Sequence, residues 1–390
     1  LDGFLDALDL HSGGKKIQMR DYQIDAFKKG VRKQRMLCLS PTASGKSLII
    51  YALMRWWREI HDRKILIIVP TINLVTQLMS DFVDYSNDKF SDMHGIMGGK
   101  EKQTDARVVV STWQSLYKMS AGYFAQFGSV IVDEVHHAQS KSIQNIMKKL
   151  VICPDRVGMT GTIQEAKTHE LVLKGLFGNV EKMISTKELI DKEQISDVKI
   201  QLLRLNYSDN DKKLVKDMNY QDEIAHIINH EKRQKFISKL AADLPGNTLV
   251  VFSRLDHGKE LHRQIDEITE REVHYIAGET DKDSREMTRQ FAEKNDVTIV
   301  ASLGVFSTGV NIRNLHNLIF AHPSKSKIKV LQSIGRILRK TEDGKPATVY
   351  DIIDDIKWKS RDNFTLRHAG ERFRYYTEEK FDYKINSVDI

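Results

Sequence analysis

The sequence contains little cysteine and no long apolar run. Its two cysteines, Cys38 and Cys153, lie far apart in separate apolar segments. This spacing supports neither a disulfide framework nor a cysteine-based zinc site, and it fits a reducing cytoplasm. The longest apolar runs, residues 48–54 and 65–69, are far shorter than the ~18 residues that a membrane-spanning helix needs. We therefore expect a cytoplasmic protein with no membrane partner.

The start of the chain has no signal-peptide pattern, and no segment is of low complexity. Residue 1 is Leu rather than Met, so we expect the chain to be part of a longer protein and interpret residues 1–19 as an N-terminal remnant or linker. Apolar residues make up 41% of the chain and charged residues 29%, which excludes wholesale disorder.

The net charge of +7 favours a polyanionic partner, because summed Lys and Arg charge raises the local concentration of phosphate groups. Many basic proteins bind no nucleic acid, so the charge alone does not identify the partner. The partner is therefore inferred from the motifs along the chain.

Two series of short apolar runs organise the chain. Runs made almost entirely of Val, Ile and Leu indicate strands buried on both faces of a parallel sheet, and most of them lead into helix-length amphipathic stretches. The predicted strands are 36–40, 65–70, 108–112, 130–133 and 156–160 in the first series, and 198–205, 248–253, 273–277, 298–302, 317–321 and 348–353 in the second.

These series predict an α/β protein with two P-loop-type parallel-sheet domains in tandem. Residues 20–185 form the first, ATP-binding domain, and residues 186–365 form the second. The boundary is placed near Thr186 because the chain then becomes mostly polar and charged for some forty residues. Residues 366–390 are interpreted as a C-terminal helical tail.

A phosphate-binding loop follows the first predicted strand. The segment SPTASGKS matches the pattern GxxxxGK[ST], except that Ser40 replaces the first Gly. Backbone N–H groups of such a loop bind the β- and γ-phosphates together with a helix N-terminus, and Lys46 adds a point charge. Ser47 places a hydroxyl on Mg²⁺, so ATP and Mg²⁺ are the predicted cofactors. The predicted nucleotide-binding residues of the loop are Thr42, Ser44, Gly45, Lys46 and Ser47.

Two adjacent carboxylates follow another buried strand in the segment IVDEVHH. We expect Asp133 to hold Mg²⁺ through water and Glu134 to polarise the attacking water, because unpaired acids beside an apolar strand are costly to bury. His136 and His137 suggest a zinc site as an alternative. Neighbouring helix positions diverge, however, and the HExxH spacing of a zinc protease is absent.

The order of these motifs resembles that of superfamily 2 helicases of the DExH type over residues 20–339. The resemblance implies two RecA-like domains that clamp ATP and a nucleic-acid strand. It also implies that Gln23 of RDYQ reads adenine. The segment MTGT looks like the motif that links hydrolysis to movement, which makes His136, Thr160 and Thr162 candidate coupling residues.

In the second domain, STGVNI and QSIGRILR resemble further signatures of the family, which adds Gly309 and Gln332 to the nucleotide-binding residues. By the same resemblance Arg336 and Arg339 are candidate arginine fingers. Three residues apart, they face one way on a helix. An arginine that completes the site from another domain contributes ~10³ to 10⁵ in rate. The alternative is an ordinary solvated basic helix face.

The predicted contacts with the nucleic-acid strand come from loop ends and rest on motif position. Phosphate contacts position a strand without reading its sequence, so we expect little base specificity and a steep salt dependence. For each threonine the alternative is helix capping. The candidates are Thr71, Thr112, Arg254, Ser302 and Thr308.

Within the superfamily, the segments GVFSTGVNIRNLH, HPSKSKIKVLQSIGRILRK and RYYTEEKFDYKI look most like the UvsW recombination and repair helicases of T-even-like phages. That resemblance implies single-stranded and branched DNA as partners, with an RNA:DNA hybrid as a further candidate. It also implies a monomeric motor in the host-cell cytoplasm and an N-terminal DNA-binding module that this chain lacks.

The leading hypothesis is therefore an ATP- and Mg²⁺-dependent motor that steps along one nucleic-acid strand. A second hypothesis is a duplex translocase that hydrolyses ATP on DNA without separating strands. A third is a nucleotide-gated clamp that binds ATP and hardly hydrolyses it. A role on RNA also stays open, because backbone contacts distinguish ribose from deoxyribose only at a few atoms.

Overall fold

A computed structural model of the chain describes residues 1–98, 101–136, 141–162, 167–308, 314–338, 344 and 346–390. These residues form two units, Leu1–Ser185 and Thr186–Ile390. In the described part, each unit contains a seven-stranded sheet whose neighbouring strands are all parallel. The predicted α/β fold with two parallel sheets is confirmed. None of the described helices is both long and apolar enough to cross a bilayer.

The first unit has the strand order β5-β6-β4-β7-β8-β3-β9, and β1 and β2 form a separate antiparallel pair. Its elements in chain order are α1 (Asp2–Ala7), β1 (His11–Ser12), β2 (Lys15–Lys16), α2 (Asp21–Lys33), β3 (Arg35–Leu39), α3 (Lys46–Ile60), β4 (Lys64–Val69), α4 (Ile72–Tyr85), β5 (Met93–Ile96), β6 (Val108–Thr112), α5 (Trp113–Leu116), α6 (Ala121–Phe124), β7 (Phe127–Val132), α7 (Lys141–Lys149), β8 (Asp155–Thr160), α8 (Lys167–Phe177) and β9 (Val180–Lys182).

Both faces of this sheet are buried, which explains the near-continuous apolar runs. Successive side chains of a strand point to opposite faces. Met36 and Cys38 of β3 accordingly pack in one core cluster with residues of α2, α3 and α4, whereas Leu37 packs in the other with residues of α7 and α8. Helices cover the two faces of the sheet, and the loops that follow the strand ends carry the predicted site residues.

The second unit has the strand order β12-β13-β11-β14-β15-β10-β16. Its elements are α9 (Thr186–Asp191), β10 (Val198–Asn206), α10 (Asp209–Val215), α11 (Tyr220–Asn229), α12 (Glu231–Asp243), β11 (Thr248–Phe252), α13 (Leu255–Asp266), β12 (Val273–Ile276), α14 (Lys282–Ala292), β13 (Thr298–Ser302), α15 (Leu303–Thr308), β14 (Asn317–Phe320), α16 (Lys327–Ile337), β15 (Ala347–Asp355), α17 (Phe364–Glu378) and β16 (Asp382–Asp389).

Two buried ion pairs fix helices of the second unit against β15. Arg233 Nε of α12 lies 2.6 Å from Asp354 Oδ1. Arg372 Nη2 of α17 lies 2.7 Å from Asp351 Oδ1, and the Tyr376 hydroxyl donates to Asp351 Oδ2 at 2.8 Å. Removing one partner of such a pair leaves a buried charge and costs ~3 to 5 kcal/mol. These contacts set the position of α17.

The C-terminal segment differs from the prediction of a helical tail over 366–390. The helix α17 ends at Glu378, and Asp382–Asp389 then form β16, which pairs in parallel with β10 at the edge of the sheet. Almost all of its side chains are exposed, so no apolar run marks it in the sequence. Its backbone hydrogen bonds to β10, rather than burial of its side chains, define this strand.

Candidate nucleotide-binding site

Three neighbouring strands of the first unit end at one edge of the sheet. The strands β3, β8 and β7 are consecutive and parallel, so their carboxyl ends lie together. The phosphate-binding loop follows β3, Asp133 and Glu134 follow β7, and Thr160 ends β8. This edge brings together side chains that are up to 120 residues apart in the sequence.

The phosphate-binding loop is a tight turn that requires a glycine. The Ser40 hydroxyl donates to Ser44 Oγ at 2.7 Å, and Ser44 Oγ donates to the Pro41 carbonyl at 2.6 Å. Gly45 precedes α3 and has a φ of 74°, in the left-handed region. A Cβ on Gly45 would lie 2.5 Å from Gln23 Nε2. Both the backbone angle and the close approach therefore favour glycine at this position.

Gln23 joins the start of α2 to the phosphate-binding loop. Its Oε1 accepts from the Arg20 backbone N–H at 2.9 Å, and its Nε2 donates to the Ser44 carbonyl at 3.0 Å and the Gly45 carbonyl at 3.3 Å. The Tyr22 hydroxyl also donates to the Ser44 carbonyl, at 2.7 Å. Both ends of the Gln23 amide thus bind the protein. That it reads adenine stays a prediction.

Lys46 and Glu134 form an ion pair at the centre of the site. The Lys46 ammonium lies 3.5 Å from Glu134 Oε1, and the side chains are only 12% and 18% exposed. Burial alone lowers the pKa of Lys46, but Glu134 and Asp133 together hold that pKa above its ordinary value. Burial alone raises the pKa of Glu134, but Lys46 and then His136 hold it at about 2. Glu134 is therefore an ionised carboxylate at neutral pH.

The pKa of Asp133 is shifted in the opposite direction from that of Glu134. Burial and the neighbouring negative charge of Glu134 raise the pKa of Asp133 to about 6. Asp133 Oδ1 accepts a hydrogen bond from the Glu134 backbone N–H at 2.9 Å. The two adjacent carboxyl groups differ because the Lys46 ammonium and His136 pair directly with Glu134.

A chain of polar contacts continues from Glu134 to the segment after β8. His136 Nδ1 lies 3.3 Å from Glu134 Oε2 and 3.1 Å from Thr160 Oγ1. The Thr160 hydroxyl donates to the Thr162 carbonyl at 2.9 Å. Because a hydroxyl has one proton, Thr160 accepts from His136, and Nδ1 therefore carries the hydrogen. Of the predicted coupling residues, His136 thus contacts the predicted catalytic carboxylate directly, and Thr160 and Thr162 are connected to it through His136.

Tyr85 is a contact of the site that the sequence motifs do not reveal. Its hydroxyl lies 2.7 Å from Ser47 Oγ, the predicted Mg²⁺ ligand. Burial raises the pKa of Tyr85 to about 12, so its hydroxyl keeps its proton at neutral pH. Tyr85 is the last residue of α4, 38 positions after Ser47, and no short-range pattern connects the two.

The second unit places three predicted residues near strand ends or on helices. Arg254 precedes α13, and its Nη2 donates to Gln221 Oε1 at 2.9 Å. Ser302 ends β13, and its hydroxyl accepts a backbone N–H from the first turn of α15 at 3.4 Å. Arg336 lies on α16 with its guanidinium carbon 5.7 Å from the centroid of the Phe306 ring on α15.

Several predicted residues lie outside the described part of the chain. They are His137, Gly309 and Arg339, together with the side chain of Thr308. That Arg336 and Arg339 share one helix face therefore stays a prediction. Gln332 is half-buried on α16. Among the described residues, no group of three His, Cys, Asp or Glu side chains is arranged to hold a metal ion.

The two predicted nucleic-acid contacts of the first unit lie at helix starts. Thr71 precedes α4, and its hydroxyl accepts from the Leu74 backbone N–H at 3.4 Å, which is helix capping. Thr112 precedes α5 and is 3% exposed, with Oγ1 3.1 Å from Ser115 Oγ. Contact of either residue with a nucleic-acid strand stays a prediction.

Comparison with known families gives one match in each unit. A family model described as "Type III restriction enzyme, res subunit" matches residues 16–165, and one described as "Helicase conserved C-terminal domain" matches residues 231–341. The chain is 39% identical to the ATP-dependent DNA helicase uvsW of Enterobacteria phage T4 over 407 residues, which cover 100% of this chain and 81% of the T4 protein.

Two solved structures are similar in fold. One is the ATP-dependent Type ISP restriction-modification enzyme LlaBIII bound to DNA, with a TM-score of 0.68, 16% identity and coverage of 97% of this chain and 32% of that chain. The other is S. cerevisiae Dbp5 bound to RNA and ADP BeF3, with a TM-score of 0.61, 13% identity and coverage of 95% and 94%. With the two family matches, they confirm the prediction of tandem RecA-like domains.

Proposed function

We propose, from the premise that this chain belongs to the superfamily 2 helicase family of phage T4 uvsW, that it remodels branched DNA such as forks, R-loops and recombination intermediates. The chain is an ATP-hydrolysing helicase motor. The buried Lys46–Glu134 pair, 3.5 Å apart beside Asp133 at the end of a phosphate-binding loop, supports ATP hydrolysis, and the 39% identity to the T4 helicase carries the branched-DNA proposal. We place this motor in the host-cell cytoplasm and expect it to act as a monomer.

The nucleotide phosphates are proposed to bind at the start of α3. There the first backbone N–H groups of the helix have no acceptor within the helix, and Thr42, Ser44 and Gly45 belong to the loop that precedes it. An incoming phosphate attracts the Lys46 ammonium away from Glu134. ATP binding then releases the Glu134 carboxylate to orient the attacking water, because the ion pair that holds it in the structure is replaced.

The donor set of the site fits Mg²⁺. This cation takes few protein ligands, prefers oxygen donors and keeps several waters. A hydroxyl on Ser47 and a carboxylate on Asp133 supply that set, and when bound the ion offsets charge on the β- and γ-phosphates. Tyr85 orients the hydroxyl: if its oxygen accepts the Ser47 proton, the Ser47 lone pairs are directed elsewhere.

Changing Tyr85 to phenylalanine removes only this hydroxyl. We expect the Mg²⁺ concentration for half-maximal ATPase activity to rise about fivefold, because one hydrogen bond contributes ~0.5 to 1.5 kcal/mol. The rate at saturating Mg²⁺ changes little. The measurement is a Mg²⁺ titration of DNA-stimulated ATP hydrolysis. Tyr123→Phe is the matched control, since the Tyr123 hydroxyl donates to the Lys102 carbonyl. An unchanged Mg²⁺ midpoint in Tyr85→Phe rejects the positioning role.

Coupling of hydrolysis to movement is proposed to begin at His136. Its Nδ1–H lies between the Glu134 carboxylate and the Thr160 hydroxyl, so a change at Glu134 alters the hydrogen bond to Thr160. Arg336, and by the family resemblance Arg339, are proposed to neutralise charge in the transition state. Gln23, Gly309 and Gln332 complete the proposed nucleotide contacts.

The partner is proposed to be single-stranded and branched DNA, with an RNA:DNA hybrid as a further substrate. Thr71, Thr112, Arg254, Ser302 and Thr308 are the proposed backbone contacts. The direct test compares ATPase stimulation by single-stranded DNA, duplex DNA, forked DNA, RNA and an RNA:DNA hybrid. We expect the forked DNA to stimulate most. If RNA ranks above every DNA substrate, the DNA assignment is wrong.

A second candidate function is a translocase that moves along duplex DNA without opening it. The match of residues 16–165 to a restriction-enzyme subunit favours this reading. A strand-displacement assay separates the two candidates. A helicase releases a labelled strand in the presence of ATP, whereas a pure translocase hydrolyses ATP on the same substrate and releases none.

A further inference from the structure

A surface of aromatic and basic side chains lies at the edge where β11 and β15 end. These strands belong to one parallel sheet and are separated only by β14, so their carboxyl ends lie close together. Arg254 follows β11, and the turn that contains Trp358 follows β15. We propose that this aromatic–basic surface binds a single DNA strand by stacking against its bases. The surface consists of Tyr220, Arg254, Trp358, Arg361, Phe364 and Arg367.

Several side chains of this surface are in contact with one another. The rings of Tyr220 and Phe364 lie 5.9 Å apart between centroids, and the Arg367 guanidinium carbon lies 4.6 Å from the Phe364 centroid. Arg254 reaches the residue next to Tyr220 by its hydrogen bond to Gln221 at 2.9 Å. Trp358, Arg361, Phe364 and Arg367 also line one groove together, among other residues.

A buried carboxylate holds the aromatic–basic surface in place. Glu223 of α11 is 1% exposed. Its oxygens accept the backbone N–H groups of Phe364 at 2.9 Å and Thr365 at 2.7 Å, and the Asn363 side-chain amide at 3.0 Å. The start of α17 is thereby fixed to α11, the helix that begins with Tyr220. Side chains held in this way lose little freedom when a ligand binds.

The turn after β15 is equally well defined. The Trp358 backbone N–H donates to the Arg361 carbonyl at 3.2 Å, and the Arg361 N–H donates to the Trp358 carbonyl at 3.0 Å. Lys359 within this turn has a φ of 53°, and its ammonium lies 5.9 Å from the Trp358 ring centroid. The turn therefore presents a half-buried indole beside at least two cations.

Two carboxylates, Glu223 and Asp362, also line the groove, but no salt bridge among the described residues joins them to the cations of this surface. Among the described residues, Arg254, Arg361 and Arg367 form no salt bridge. Arg374, on the same helix as Arg367, is by contrast 2.7 Å from Glu371. Guanidinium groups beside half-buried aromatic rings are the chemistry that binds a single strand, because bases stack on rings and phosphates pair with the cations. A duplex keeps its bases stacked inside, so a single strand fits better than a duplex.

This inference rests on the proposed DNA-motor function and adds base stacking at Trp358 to the backbone contact already proposed for Arg254. The test uses the full chain and two fluorescent probes of equal length and charge, an oligothymidylate and an abasic oligonucleotide. We expect the parent chain to bind the oligothymidylate more tightly. Trp358→Ala should bind it about tenfold more weakly and lose the preference for bases, because stacking contributes ~1 to 3 kcal/mol per base. Trp358→Phe should retain most of the preference.

A second variant addresses charge without altering the turn. Arg367→Ala, at an exposed position, should weaken binding of both probes. The slope of log affinity against log salt concentration should become shallower by about one. Arg374→Ala is the matched control on the same helix and should bind both probes like the parent.

Equal affinity of the parent for the two probes, or a Trp358→Ala variant that keeps the preference, overturns the inference. If the parent also shows no DNA-stimulated ATPase activity, the proposed motor function fails as well. If stimulation is present and only the preference is insensitive to Trp358, this inference alone fails. A surface that binds any polyanion, such as an acidic protein, would bind both probes equally and would depend on Arg367. That outcome contradicts the proposal.

Discussion

Replacing Lys46 with alanine is expected to lower DNA-stimulated ATP hydrolysis by about a thousandfold, since one preorganised charge at a developing anion contributes ~10² to 10³ or more in rate. Lys46 is the first residue of α3 and lies beside the predicted phosphate-binding loop. Without its ammonium, ATP loses a partner for its β- and γ-phosphates. Affinity for ATP and the rate of hydrolysis should therefore both fall. Steady-state kinetics and titration with a fluorescent ATP analogue measure the two effects.

The same variant removes the partner of a buried carboxylate. Glu134 is 18% exposed, and the variant removes the ammonium that lies 3.5 Å from its Oε1. The thermal midpoint of Lys46→Ala should therefore fall, and the double variant Lys46→Ala with Glu134→Gln should recover part of the loss. Lys148→Ala, an exposed position on α7, is the matched control and should match the parent. Parental ATPase activity in Lys46→Ala would remove the basis of the site assignment.

The sequence predicts the sheets well because burial leaves a strong signal in parallel strands. The predicted strands 108–112 and 298–302 have the bounds of β6 and β13. Each lies in the interior of its sheet, and all five side chains of β6 are buried. The edge strand β16 gives no such signal, since nearly all of its side chains are exposed. Strand edges that pair through the backbone alone are therefore hidden from a pattern of apolar residues.

The site shows a similar division. The predicted phosphate-binding loop and the adjacent acids are local motifs, so the sequence singles out Lys46 and Glu134, which the structure places 3.5 Å apart. The Tyr85 contact with Ser47 joins the end of α4 to the start of α3, and only the packing of the two helices brings the hydroxyls within 2.7 Å. Gln23 shows a further limit, because its motif does not reveal that both ends of its amide bind the protein.

The coupling residues illustrate what topology adds to a motif. The family resemblance assigns His136 and Thr160 a common role, but the two residues belong to different motifs 24 positions apart. They meet because β7 and β8 are adjacent parallel strands that end at the same edge. The hydrogen bond between them therefore depends on the order of strands in the sheet. That order cannot be read from any short segment of the sequence.

Replacing Glu134 with glutamine is expected to separate ATP binding from hydrolysis. The amide keeps the size of the side chain and removes its charge, so it no longer draws a proton from the attacking water. The rate of hydrolysis should fall by ~10² to 10⁴, which is the range for loss of a general base. Lys46 at the same time loses the carboxylate that lies 3.5 Å away and that competes with the phosphates. ATP should therefore bind at least as tightly as to the parent.

The two residues of the ion pair are therefore expected to differ in their effects on ATP binding and hydrolysis. Lys46→Ala weakens ATP binding and hydrolysis together, whereas Glu134→Gln stops hydrolysis and leaves binding intact. Asp105→Asn, the same change of acid to amide at an exposed position of the first unit, should match the parent in both measurements. If Glu134→Gln instead loses affinity for ATP and keeps a parental rate at saturation, Glu134 acts as a partner that positions Lys46. The hydrolytic role must then belong to another carboxylate, and Asp133 is adjacent to it.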